Sequence, residues 1–327
     1  MNHKFMKWIG LSIASLLVTF CASCNFNNGN GKMDIIATIF PEYDWVLNVL
    51  GDKKDDANVS LLLDSGVDLH SYQPTPKDIV SISNCDLFIY VGGESDAWVD
   101  DVLKQAKNEN MLTINLMDVL GDKKKEEELI EGMQGEEEEE DEEEEEGPEY
   151  DEHVWLSLKN AAIFVKTISE SISSLDEENA NYYKNNADSY IASLKTLDTQ
   201  YTQAVNAGAQ KTLLFADRFP FRYLVDDYSL KYYAAFIGCS AETEASFETI
   251  AFLANKVDEL GLKVILKIES SNGKIAQTVK ETTRLQDQQI LTMDSIQSAT
   301  SKEYANGRSN YLSIMEKNLD VLKEAIK

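Results

Sequence analysis

Histidine is the scarcest chemistry-bearing residue of this chain. Its 327 residues contain three, and one of them, His3, lies at the extreme amino terminus. Cysteine is nearly as sparse, with four copies, of which Cys21 and Cys24 fall in the same amino-terminal stretch. The other two, Cys85 and Cys239, lie far apart and do not make a disulfide framework. Both read as buried small residues, with Cys239 also conceivable as a soft metal ligand. Positive charge is short too: 30 Lys and Arg face 57 Asp and Glu, a formal net charge of −27. That balance excludes nucleic-acid binding, which needs a basic patch to meet phosphates. Long apolar runs are also missing. The stretch from Trp8 to Phe20 is shorter than the about 20 residues a comfortable membrane span requires.

What is present begins with an export signal. Lys4 and Lys7 precede the apolar stretch, and the small-residue site Ala22-Ser23-Cys24 follows it. Cysteine directly after Ala-Ser resembles a bacterial lipoprotein cleavage site, although Cys21 stands where that pattern prefers leucine. An ordinary secretory peptide is the alternative. On the lipoprotein reading residues 1–23 are the signal peptide, Cys24 is lipidated and residues 24–32 form an Asn/Gly-rich tether. The product is extracytoplasmic and anchored to the cell membrane, and more than one acyl chain is needed to hold it firmly. His3 leaves with the leader, so His70 and His153 are the histidines of the mature chain.

A hydrophobic content of 43% supports real cores. Residues 34–40, 59–63, 87–91 and 112–116 read as strands, separated by helical patterns that start at Pro41, Thr75 and Trp98. Such alternation predicts a mainly parallel sheet covered on both faces. Residues 122–149 then collapse into charge. Glu136 to Glu146 is an unbroken run of eleven acidic residues, and subtracting it from −27 still leaves −16 elsewhere. Such a segment cannot bury enough apolar surface to order itself, and it reads as a disordered insert. It also reads as a weak cation trap at a cleft mouth.

Residues 158–207 carry neither proline nor glycine and predict a long connecting helix to residue 208, with a break near Leu175-Asp176. A second alternating unit follows, with strands at 212–215, 231–236, 264–268 and 290–293 and helices at 219–227, 247–260, 273–286 and 311–326. The fold class is therefore α/β: two α/β lobes with parallel-type sheets, 33–157 and 209–327, joined by a long connecting helix at 158–208. In such sheets ligands collect beyond the carboxyl ends of the strands, where both histidines fall.

The residues around those histidines resemble the solute-binding lipoproteins of zinc and manganese ABC transporters over essentially the whole mature length. Gly66-Val67-Asp68-Leu69-His70, running into Tyr72 and Pro74-Thr75-Pro76-Lys77-Asp78, is similar to that family's Gly-x-Asp-x-His loop and following helix start. Glu152-His153-Val154-Trp155-Leu156 is close to its Pro-His-x-Trp-Leu motif. Zinc-type members carry a charged insert just before that motif, here polyglutamate. The resemblance implies His70 and His153 as metal ligands. The family's third ligand, a His or Glu, would fall on Ala216, which cannot ligate, so Asp217 is the substitute, with helix capping or an ion pair to Arg218 or Arg222 as its ordinary reading. Asp294 is assigned as the fourth ligand, or else caps a turn, and Glu269 and Glu242 are reserves. The function implied is capture of Zn2+ by a monomer between the lobes and delivery to an ABC permease, with Mn2+ as alternative cargo. No catalysis is expected. A zinc hydrolase is the enzyme alternative, but no His-Glu-x-x-His helix supports it. An adhesin or metal buffer is a third reading.

Overall fold

The computed structural model describes residues 31–66, 68–135, 149–240 and 244–327. The leader with Cys24, the tether through residue 30, the acidic run 136–146 and Glu242 lie outside them.

The first half is built from β1 (Met33–Ala37), α1 (Phe40–Leu50), β2 (Ala57–Leu61), α2 (Pro76–Asn84), β3 (Leu87–Tyr90), α3 (Val99–Leu103), β4 (Leu112–Asn115) and α4 (Leu116–Leu120). Its four strands are all parallel, in the order β2-β1-β3-β4. Leu87, Phe88 and Ile89 in β3 are fully buried, the continuous apolar pattern of a strand covered on both faces. Thr75 starts α2 by accepting from the Asp78 amide, while Asp78 accepts in return from the Thr75 amide, a reciprocal cap that satisfies two donors at the helix start.

The connecting region is two helices rather than one, α5 (Leu158–Leu175) and α6 (Ala180–Ala207). The break falls at the Leu175-Asp176 step expected from the sequence. There Asp176 accepts from the Tyr183 hydroxyl at 2.6 Å and the Asn179 amide at 2.7 Å, holding the turn between them. The 28-residue α6 touches both halves. Tyr190 donates to the buried Asp44 of α1 at 2.8 Å. Farther along, Tyr201 donates to the Met315 carbonyl at 2.6 Å.

The second half contains β5 (Thr212–Phe219), α7 (Arg222–Asp227), β6 (Lys231–Ile237), α8 (Phe247–Leu260), β7 (Val264–Lys267), α9 (Lys274–Thr282), β8 (Gln289–Thr292), α10 (Ser301–Ala305) and α11 (Tyr311–Ala325). Its sheet is again all parallel, in the order β6-β5-β7-β8. One apolar core runs through both halves: Trp45 of α1 packs against Phe164 of α5 and Tyr311 of α11, with ring centroids 5.7 and 5.2 Å apart.

Two expectations need correction. β5 does not stop at Phe215; it continues to Phe219 through a register shift between Phe215 and Arg218. This irregularity is the extra-residue distortion of a β-bulge, invisible in the apolar pattern. The flanks of the acidic insert also have defined places. Glu126 pairs with Tyr150 and Gln134 pairs with Phe236 at the end of β6, so residues 122–135 lie across both halves as a strap. Lys125 and Glu128 tie it further, through the Tyr223 hydroxyl at 3.0 Å and Arg222 at 3.4 Å.

Candidate metal centre

His70 sits in a short turn, Leu69–Ser71, beyond the carboxyl end of β2. Asp68 caps that turn by accepting from the His70 amide at 3.1 Å, and buried Leu69 pins it to the core. The ring is oriented from its far side: Nδ1 lies 2.7 Å from Ser95 Oγ and 3.6 Å from Glu152 Oε2. Glu152 is held in turn by the Ser95 amide at 3.0 Å. Gly93 makes this approach possible. Its φ is +83°, and a side chain there would place Cβ 2.3 Å from Glu152 Oε1.

His153 is fully buried in the segment that follows the insert. Asp151 Oδ1 accepts from its amide at 2.8 Å and lies 3.1 Å from Nδ1. A histidine held this way carries its proton on Nδ1 and turns the Nε2 lone pair outward, the arrangement that orients metal-binding imidazoles. Two residues on, Trp155 anchors the turn to the second half, donating to the Ser295 carbonyl at 2.9 Å and accepting from the Tyr311 hydroxyl at 2.6 Å.

These two supports point the rings at each other, with Nε2 to Nε2 at 3.3 Å. Two lone pairs at that distance repel unless a proton or a cation lies between them. Burial and the neighbouring His153 push the His70 pKa down to about 3, so this ring is neutral. Burial opposes charge on His153 as well, but Asp151 outweighs it and the net shift is upward.

The second half contributes Cys239 to this pair. One ligand atom from each of His70, His153 and Cys239 lies within 4.8 Å of the others, the one such cluster of His, Cys, Asp and Glu among the described residues. Cys239 follows β6, again beyond the carboxyl end of a strand. A Cβ on the preceding Gly238 would come within 3.1 Å of the His153 ring and 3.0 Å of the Phe219 carbonyl, so glycine lets the chain pass there.

Asp217 and Asp294 are not brought into the cluster. Asp217 lies in the irregular part of β5, where its carboxylate accepts from the Arg218 amide at 3.0 Å and the Ile268 amide at 3.4 Å. Asp294 accepts from the Ile296 amide at 2.7 Å, while burial and nearby Glu269 raise its pKa to about 6. The reserve Glu269 is engaged as well, by the amide and hydroxyl of Ser295 at 2.7 and 2.9 Å. Arg218 reaches across the seam to Asp68 at 2.8 Å, which takes up that carboxylate.

A cleft of about 850 Å³ leads to the cluster and is lined in part by His70, Cys239, Glu127, Glu149 and Glu152, with Lys124 the one basic residue of its wall. Its walls combine both halves and the strap. Among the described residues no helix is long and apolar enough to cross a membrane.

Two parallel-sheet lobes sharing a core, with a buried and a half-buried imidazole paired at their seam, define a solute-binding protein whose site suits a divalent cation. The chain belongs to the family described as ZnuA, zinc-uptake complex component A periplasmic, whose model matches residues 35–325. It is 32% identical over 330 residues to the high-affinity zinc uptake system protein ZnuA of Bacillus subtilis, covering 98% of each chain. It is also 32% identical over 324 residues to the zinc-binding lipoprotein AdcA of Streptococcus pneumoniae, covering 98% of this chain but 61% of AdcA. Among solved structures, the Zn(II)-bound ZnuA-like domain of pneumococcal AdcA superposes with a TM-score of 0.70 at 29% identity, over 90% of this chain and 99% of that one. The metal-dependent lipoprotein YcdH of B. subtilis gives 0.71 at 27% identity, over 90% and 100%. The expected fold class and family are borne out. These relatives bear the names of binding and uptake proteins, not of enzymes, in agreement with the non-catalytic expectation.

The sequence offers Cys239 as a buried small residue with soft-metal ligation as the alternative, and the structure sets it beside the two imidazoles. Its available signal was a Gly-Cys step directly after a strand of the second half, the position at which open α/β sheets carry ligands.

Proposed function

We propose that this chain captures Zn2+ outside the cytoplasm and hands it to the permease of an ABC importer, acting as a monomer tethered through lipidated Cys24. His70 and His153 hold the ion. The observation that carries this reading is the 3.3 Å separation of their Nε2 atoms. Zinc–nitrogen bonds of about 2.0–2.1 Å in a tetrahedron put two ligand nitrogens about 3.3 Å apart. The imidazoles are thus already at the spacing of two corners of a zinc site. Asp217 and Asp294 are left out of the proposed ligand set because their carboxylates are engaged by backbone amides.

The acidic cleft adds an electrostatic approach. Carboxylates concentrated along a concave surface raise the local cation concentration and the rate of capture. They are not selective, so selectivity belongs to the histidine site. The names of the relatives, zinc uptake and zinc binding, support the same cargo.

The test is a zinc titration of the chain against a competing chelator, alongside His153→Ala and with manganese in parallel. One tight zinc site that disappears in the variant is the expected result. Weak, multiple binding that ignores His153 would overturn the reading and leave the carboxylates as the metal trap.

A further inference from the structure

The two cysteines of the described chain have opposite surroundings. Cys85 is part of an apolar cluster with Ile82, Phe88 and Val102, its sulfur 3.5 Å from that of Met111. Cys239 belongs to none of the apolar clusters and lines the acidic cleft. Its amide donates to Glu127 Oε1 at 3.3 Å, and Glu127, Glu149 and Glu152 line the same cleft. A small apolar filler does not need that setting, but a ligand to a cation does.

We infer that Cys239 binds the captured ion directly, as a thiolate, and completes a site of two imidazoles and one sulfur across the seam of the two halves. This deepens the zinc-capture reading and rests on it. Three observations support it. The thiol already stands in the same 4.8 Å cluster as the two imidazoles. The chain beside it is packed against His153, where a Cβ on Gly238 would lie only 3.1 Å from the ring. Charge balance points the same way. Two neutral imidazoles give a dication no anionic ligand within the cluster, Asp68 is paired with Arg218, and Asp217 and Asp294 accept from backbone amides. Sulfur supplies the missing anion.

Ligation exchanges a proton for the metal: the S–H bond breaks, the sulfur–metal bond forms, and the proton leaves. Burial and the carboxylates of Asp151 and Glu127 hold the free thiol protonated, so the metal has to displace that proton. Glu127, whose Oε1 lies 3.3 Å from the Cys239 amide, is the acceptor at hand. The strap thereby contributes to the site through Glu127. A sulfur ligand also sharpens selectivity, because thiolates favour zinc and other soft ions whereas manganese prefers oxygen.

The test uses cobalt(II) and zinc with the full chain. Cobalt should produce a near-ultraviolet sulfur-to-metal charge-transfer band that persists in Cys85→Ser and vanishes in Cys239→Ser. Zinc affinity should fall by about tenfold or more in the latter, at least the loss seen when a ligand's supporting partner is removed. A measurement without any variant stands beside these: zinc should protect Cys239 of the parent chain from alkylation, read by peptide mass spectrometry. Tight cobalt binding with no sulfur band and no protection would overturn the thiolate while leaving capture intact. Tight binding that survives His153→Ala would instead overturn the capture reading itself.

Discussion

The two sheets of this protein have the same plan and different ends. Both are four-stranded and parallel, and both place their first strand second in the order, as in β2-β1-β3-β4 and β6-β5-β7-β8. In the first half the strand ends open into loops whose side chains are aimed at one point, with Ser95, Glu152 and Asp68 steering His70. In the second half most polar groups at the strand ends serve the protein itself. Asp217 accepts from the Arg218 and Ile268 amides, Glu269 holds Ser295, and Asp294 holds Ile296. Arg218 and Ser295 act as latches to the histidine loops, through Asp68 and Trp155. Equal architecture has thus been given unequal duties: one side presents the imidazoles, and the other closes over them with a single sulfur.

This contrast can be broken at several places. The largest effect is expected from Trp45→Ala, because that indole joins a first-half helix to Tyr311 of the second half. Removing a fully buried tryptophan should cost about 3–5 kcal/mol in thermal or urea unfolding. A loss below about 1 kcal/mol would mean that the shared core does not bind the halves together. Next comes Gly238→Ala, which pushes a methyl group toward the His153 ring and should weaken zinc binding about tenfold, or ~1.4 kcal/mol. Unchanged affinity would show that the second half need not close tightly.

A subtler asymmetry concerns protons. Glu42, fully buried at the start of α1, has its pKa raised to about 8 by burial, against amide hydrogen bonds from Ile39 and Thr38 that pull it down. The folded state therefore holds this proton where the unfolded chain has released it. Stability should fall as pH rises from the ordinary glutamate range toward 8, and below that range the contribution of this group should be fully present. In Glu42→Gln the slope of melting temperature against pH should flatten, though not vanish, since burial also raises Asp44 and Asp96 to about 7. An unchanged slope would remove Glu42 from the account. The smallest effect is expected for Asp217→Asn and Asp294→Asn, which should shift zinc affinity by no more than about twofold, some 0.5 kcal/mol. A tenfold loss in either variant would return that carboxylate to the ligand set.

Much of this was legible in the residues. Strand and helix positions followed from apolar period and from capping residues such as Thr75, whose side chain accepts from the amide three residues on. His70 and His153 were legible because their neighbours form motifs, and the structure brings them together. The carboxylates were not legible, for a physical reason. Whether an aspartate near a strand end faces a cleft or its own backbone depends on strand register, and the irregularity in β5 leaves no mark on the apolar pattern. The flanks of the acidic insert were misread for a related reason. Their order comes from long-range pairings, Glu126 with Tyr150 and Gln134 with Phe236, rather than from local propensity.

Trp155 carries a consequence of another kind. Its ring centroid lies 5.2 Å from that of His153, and its indole is fully buried and tied to Ser295. Indole emission responds to charge and protonation on an aromatic neighbour at such a distance. Loading of the site should therefore be readable as a change in native fluorescence, without dye or label. The latch that joins the halves is also a built-in optical gauge of whether the protein is carrying its ion.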